Sequence, residues 1–307
     1  MTRVIAVTGA TGFIGSAIVQ RLLINGLKVK ALVRPCSRPK CFRHPAVLWV
    51  EGELSDRRSL KRLVSGAEAV IHCAGAVRGF ASEDFDAVNV YPVHDLVDIC
   101  NHAPGISAFL LISSLAARHP DLSFYAMSKR KGESALSAIN PDIRCTAFRP
   151  PAVYGPGDRE IRPVLKLMKR GIAPVIAGPG NRFSLLHVHD LAEAVFCWLN
   201  SKVSGVHVYE LHDGLAGGYS WEGIAALASQ ALGRRILKLR IPLRVLSAVA
   251  LFNVFISRLH GTQPMLTPGK VRELVHSDWV CDNKAICEDT AWRPGIRLQD
   301  ALKQGLI

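Results

Sequence analysis

The amino-acid sequence predicts an α/β chain, a doubly wound parallel sheet carrying a smaller, mostly helical C-terminal lobe. Two observations carry that reading. Short apolar runs rich in β-branched residues, "VIAVT" (4–8), "KVKALV" (28–33) and "AFLLIS" (108–113), punctuate the first half of the chain. The first of them breaks into "GATGFIG" and then the helix-period segment "SAIVQRLLINGLKV", with Gly26 as its stop, so that strand, glycine turn, helix and second strand follow in βαβ order. The sheet is placed at residues 1–160, with a strand near 205–211 ("GVHVYEL") returning to it, and the lobe at 161–307, interleaved with the sheet.

Composition narrows the class. The chain has 307 residues, 49% hydrophobic and 21% charged, enough for a large core or two sharing one. No run of eighteen apolar residues spans a bilayer, and the N-terminus passes straight into a strand and a glycine loop without a secretory pattern. Eight cysteines lie mostly in apolar contexts with no C-x-x-C pair, so buried reduced thiols in a cytoplasmic protein are expected, and no metal. The formal charge of +13 favours anionic partners such as phosphorylated cofactors or the inner face of an anionic membrane. Nucleic acid is not expected, since there is no basic tail, zinc finger or RNA-binding signature; a homodimer stays open.

The glycine loop has a physical reading. Gly9 allows the tight turn, Gly12 lets backbone approach a pyrophosphate, and Gly15 lets the helix lie against the strand. Thr11, Phe13 and Ile14 complete the loop and the first helical turn, whose free N–H groups face phosphate charge. At the end of the second strand stands Arg34, with Arg38 and Lys40 nearby, where a carboxylate would repel a ribose 2′-phosphate and a guanidinium binds one. NADP(H) is therefore preferred; a solvated basic loop is the alternative, so NAD(H) stays open.

Residues 110–129, "LLISSLAARHPDLSFYAMSK", hold the candidate chemistry. Ser114 closes an apolar strand at its carboxyl end, where open α/β sheets place ligands. Tyr125 and Lys129 are four apart, hence on one helix face. A tyrosine hydroxyl with pKa about 10 is a poor proton shuttle, and a nearby ammonium would lower that pKa. Ser114 would hold the substrate oxygen, and Lys129 also the nicotinamide ribose.

These segments resemble the extended short-chain dehydrogenase/reductase (NAD-dependent epimerase/dehydratase) family, which opens on "TGATGFIG" and carries the helix "YAMSKRKGE", with Glu133 at the later position. The resemblance implies a Rossmann-type fold. It places Glu53 and Leu54 beside the adenine, Ala74, Gly75 and Ala76 along the ribose and pyrophosphate, and Asn89 behind the site. "FRPPAVYGPGD" (148–158), with Pro150 and Val153, would lead from the nucleotide region toward the substrate. "RFSLLHVHDLAEAV" would close over the substrate; its His187, His189 and Asp190 are read as hydrogen-bonding groups, because a metal pair lacks a third ligand.

The family's dehydratases carry an acidic pair just after the catalytic Ser or Thr, whereas Leu115 and Ala116 stand here. Epimerases hold NAD, against which Arg34 argues, so ketone reduction or alcohol oxidation remains. "LRIPLRVLSAVALFNVFISRLHG" has no charge between Arg244 and Arg258, which suits a buried helix, an acyl-chain groove or an interfacial helix. Together with similarity to a bacterial, sphingoid-reducing branch, this points to an NADPH-dependent reductase of a ketone with an acyl chain, 3-oxosphinganine being the named candidate. A sterol-type or sugar-nucleotide enzyme, or a non-catalytic nucleotide-sensing or assembly subunit, are the alternatives.

Overall fold

Seven parallel strands, the inner ones buried on both faces, form the centre of the molecule. The computed structural model describes residues 3–40, 43–176, 178 and 180–306, the side chains of 38–40 excepted. Its strands are β1 (Val4–Thr8), β2 (Lys28–Val33), β3 (Val47–Glu51), β4 (Ala69–His72), β5 (Ala108–Ile112), β6 (Arg144–Arg149), β7 (Ala152–Tyr154), β8 (Ile172–Ile176), β9 (Arg182–Phe183), β10 (Leu185–His187), β11 (Val206–Glu210), β12 (Leu237–Ile241) and β13 (Asp278–Trp279). The helices are α1 (Phe13–Ile24), α2 (Arg57–Val64), α3 (Ser82–Asn89), α4 (Tyr91–His102), α5 (Phe124–Ser134), α6 (Arg162–Lys169), α7 (Val188–Asn200), α8 (Trp221–Leu232), α9 (Leu243–Leu259), α10 (Pro268–Val275), α11 (Lys284–Thr290) and α12 (Leu298–Gln304). The main sheet runs β11-β6-β5-β4-β1-β2-β3. Every neighbouring pair in it is parallel. Strand order reverses between β1 and β4, which opens a crevice at their carboxyl ends.

Alternation along the strands builds two cores. In β1, Ile5 and Val7 pack under α1 and α7 with Ile18, Leu22, Leu191 and Trp198. Ala6 faces the other way, toward Leu60 and Leu63 of α2 and Leu96 of α4. Strands buried on both faces read as continuous apolar runs, which explains "VIAVT" and "AFLLI". Deep in this layer Trp198 Nε1–H donates to Thr146 Oγ1 at 2.9 Å.

The lobe has its own core, in which Leu165 and Met168 of α6 meet Ile224 and Ala228 of α8 and Leu298 and Ala301 of α12. A smaller cluster joins α9 and α10 through Ile176, Leu246, Ala250 and Val271. For the apolar stretch after Arg244 the buried-helix reading is corrected: α9 buries only Leu246, Ala250 and Ser257. No helix among the described residues is long and apolar enough to cross a membrane. The described cysteines are free thiols, with Cys36 exposed rather than buried.

Candidate active site

The glycine turn lies in the crevice because its backbone touches the next strand's loop. Gly9 has φ +69°, and a Cβ there would stand 2.6 Å from Ala74 N. At Gly15 a Cβ would come within 2.1 Å of Gly9 O, so α1 meets the turn without side chains between them. Gly12 is the N-cap of α1 and contributes no side-chain cap, leaving the first N–H groups of the helix open to a ligand. Ala74 N–H donates to Thr8 Oγ1 at 3.2 Å, which ties the ends of β1 and β4 together.

Ser114, Tyr125 and Lys129 converge on the same edge. Ser114 follows β5 in extended conformation, its Oγ accepts from Ala116 N at 3.2 Å, and its hydroxyl draws the Tyr125 pKa down. Ser123 caps α5 by accepting from Ala126 N at 3.0 Å, so the helix starts one residue before Tyr125. One turn later Lys129 Nζ donates to Ile112 O at 3.1 Å, directly over Gly75, whose added Cβ would stand 3.0 Å from that ammonium.

Two buried networks hold α5 in place. Glu133 accepts from Arg149 Nε at 2.9 Å, from Arg149 Nη2 at 2.6 Å and from Ser113 Oγ at 2.6 Å, joining α5 to the ends of β5 and β6. Asn89 clips the 74–76 loop, accepting from Ala76 N at 2.9 Å and donating to Ala76 O at 3.0 Å and Ser128 Oγ at 2.9 Å.

Burial pushes Lys129 down from 10.5 to about 8, opposed by Cys73 and Glu133, and a second cation, Lys270, also acts on Tyr125. Burial raises the Tyr125 hydroxyl above its ordinary value; the Ser114 hydroxyl and then the Lys270 ammonium lower it, while Glu273 and Glu160 raise it. Lys270, on α10, lies 5.9 Å from the Tyr125 ring centroid and donates to Glu273 Oε2 at 2.9 Å, with 44% of its side chain open. Glu273 in turn accepts from the Ser123 hydroxyl that caps α5. Sequence reasoning missed Lys270 and Glu273; their only signal is an i, i+3 pair, which any surface helix shows.

The remaining sequence-assigned residues fall in three places. Thr11 lies in the turn before the Gly12 cap, Phe13 and Ile14 begin α1, and Arg34 stands exposed one residue beyond β2. The side chains of Arg38 and Lys40 lie outside the described residues. Glu53 is exposed after β3, Leu54 packs against the second core, and Pro150 and Val153 flank the turn into β7, with Pro150 O accepting from Leu115 N at 2.8 Å. His187 and Asp190 serve the fold instead. His187 is buried against Tyr154 and His189, and Asp190 accepts from Gly295 N at 3.1 Å and Ile296 N at 2.9 Å. No cluster of metal-ligating side chains occurs among the described residues.

The model of the NAD dependent epimerase/dehydratase family matches residues 5–211. The chain belongs to that family. Across this epimerase/dehydratase family it is 35% identical to a ceramide reductase of Caulobacter vibrioides, over 95% of this chain and 90% of the relative. A human epimerase family protein, SDR39U1, with NADPH superposes with TM-score 0.76 at 19% identity, covering 99% and 98% of the two chains. MoeE5 in complex with UDP-glucuronic acid and NAD superposes with TM-score 0.73 at 21% identity, covering 98% and 96%. The protein is thus an oxidoreductase-type enzyme of the epimerase/dehydratase family with its doubly wound fold.

Proposed function

We propose that the protein is an NADPH-dependent reductase of a ketone on a long-chain substrate, with 3-oxosphinganine, free or N-acylated, as the candidate. The observation that carries the chemistry is the Tyr125 hydroxyl set where the Ser114 hydroxyl at the end of β5 draws its pKa down, with buried Leu115 and Ala116 where a dehydratase needs acids. The substrate class rests on the likeness to the Caulobacter ceramide reductase. Such a lipid is delivered from a membrane, so the reading includes a peripheral encounter with an anionic bilayer.

A dinucleotide fits the crevice, since the space that a Cβ at Gly9 or Gly15 would fill is kept empty and the N–H groups of α1 are uncapped. Gly9, Thr11, Gly12, Phe13, Ile14 and Gly15 would hold the pyrophosphate and Arg34 the 2′-phosphate. Glu53 and Leu54 would flank the adenine; Ala74, Gly75, Ala76, Lys129, Pro150 and Val153 would line the nicotinamide end. When bound, NADPH supplies the hydride. Tyr125 donates its proton to the ketone oxygen, which Ser114 holds by a second hydrogen bond, and the Lys129 ammonium, with Lys270 beyond the ring, faces the phenolate that remains. Hydride and proton together yield the secondary alcohol.

The test is NADPH consumption by purified protein with 3-oxosphinganine, its N-acyl form, a steroid ketone and a UDP-sugar. Turnover is expected with the sphingoid ketones and a KM that falls with tail length, at about 0.8 kcal/mol per buried methylene. Arg34→Asp should weaken NADPH and favour NADH, through loss of a charge-assisted pair worth roughly 1.5–3 kcal/mol. Turnover of the UDP-sugar with no response to tail length would overturn the substrate reading.

A further inference from the structure

Helix α9 is apolar on the side that faces away from the protein. Its buried residues, Leu246, Ala250 and Ser257, share one face. Val245, Val249, Phe252, Phe255 and Leu259 follow one another at spacings of three and four on the opposite face, between 50% and 67% exposed. Leu243 and Leu251 add to it, 54% and 62% exposed, and so do Leu237 and Leu239 of the preceding β12, at 68% and 53%. An ordinary surface helix presents charge to water, and a contiguous exposed apolar patch marks an interaction site.

Charge specifies what covers it. From residue 223 to residue 272 there is no Asp or Glu, while Arg234, Arg235, Lys238, Arg240, Arg244, Arg258, Lys270 and Arg272 supply eight positive charges of the chain's +13. Arg244 and Arg258 sit near the two ends of α9 and flank the apolar stripe; both are exposed. A second copy of the chain would set this basic surface against itself across a twofold axis. A bilayer carrying anionic headgroups offers both acyl chains and the opposite charge.

The face also adjoins the candidate site. Arg258 lies over the Phe80 ring at 5.7 Å, and Phe85, in the helix after that loop, packs 6.3 Å from the Tyr125 ring. On the other side Leu266 N donates to Asn253 Oδ1 at 3.2 Å, linking α9 to the segment that leads into α10 and Lys270. Val77, Phe124 and Met265, on the segments around Tyr125, are 54%, 50% and 40% exposed.

We infer that the outer face of α9 docks the protein on an anionic phospholipid bilayer. The helix lies in the plane of the interface, its apolar stripe among the acyl chains and its arginines at the phosphates, and holds the Tyr125 cleft beside the membrane. At seventeen residues it does not cross.

Flotation with vesicles tests this, using phosphatidylcholine with a minority of phosphatidylglycerol against pure phosphatidylcholine. Wild type should float with the anionic vesicles and bind the neutral ones about tenfold more weakly or worse, with high salt having the same effect. The double variant Phe252→Asp/Phe255→Asp and the double variant Arg244→Glu/Arg258→Glu should each lose about tenfold or more, with unchanged thermal unfolding and NADPH binding as proof of folding. The inference is overturned if wild type ignores anionic vesicles, if the variants bind as well as wild type, or if wild type is a dimer that the Phe double variant converts to monomer. Turnover of a short-chain ketone in free solution reports separately on the proposed reaction, so either reading can fail without the other.

Discussion

A phenol raised above its ordinary pKa by burial stays protonated at neutral pH, so in the proposed reaction Tyr125 enters as an acid. Ketone reduction should then hold on the acid side and fall as pH rises through the Tyr125 pKa. Lys270 draws that pKa down, so Lys270→Met should move the alkaline limb of the reduction profile upward. The reverse alcohol oxidation, which needs the phenolate, should slow up to about tenfold for each pH unit of that displacement. Steady-state rates against pH in both directions measure it, and an unmoved limb would leave Lys270 as packing alone. Tyr125→Phe, by contrast, should lose about 10²–10⁴ in rate with cofactor affinity nearly intact, read by kinetics beside an NADPH titration. Lys129, with its pKa lowered to about 8, donates to Ile112 O at the floor of the crevice.

Helix α5 delivers two of the three candidate catalytic groups, and its position depends on a buried ion pair. Glu133 and Arg149 are 8% and 9% exposed, and their two hydrogen bonds tie α5 to β6. Removing one member leaves the other charge buried without its partner, so Glu133→Ala should cost about 3–5 kcal/mol in denaturant unfolding, with turnover falling as Tyr125 loses its support. A cost under about 1 kcal/mol would mean that Arg149 finds Glu210, 3.9 Å away, as a substitute. The helix itself was legible in the sequence, because the four-residue spacing of Tyr125 and Lys129 is a local feature. The pairing was not, because Glu133 resembles any exposed helical glutamate until β6 brings Arg149 beneath it.

At the scale of the molecule, one carboxylate couples the sheet to the lobe. Asp190 at the start of α7 accepts from Gly295 and Ile296, and Trp292 Nε1–H donates to Asp190 O at 3.1 Å, which anchors the segment leading into α12. Asp190→Ala would leave two backbone donors without their acceptor, at about 1–3 kcal/mol. Calorimetry should show the lobe melting ahead of the sheet where wild type shows one transition; a single transition at unchanged temperature would refute the coupling. The sequence suggested hydrogen-bonding roles for this motif, but near substrate rather than at the chain's end.

The sequence by itself determined what depends on neighbours along the chain. The glycine turn needs Gly9 in the left-handed region and Gly15 without a Cβ, the strands buried on both faces need continuous apolar runs, and one helical turn sets Tyr125 beside Lys129. Only the tertiary structure decided what depends on distant chain meeting. Ser123 and Glu273 stand 150 residues apart, yet their contact brings Lys270 to the Tyr125 ring. The direction of α9 belongs here too. A helix apolar all round carries no periodic mark of which side packs, so its fate followed from how little of the lobe was left to cover it.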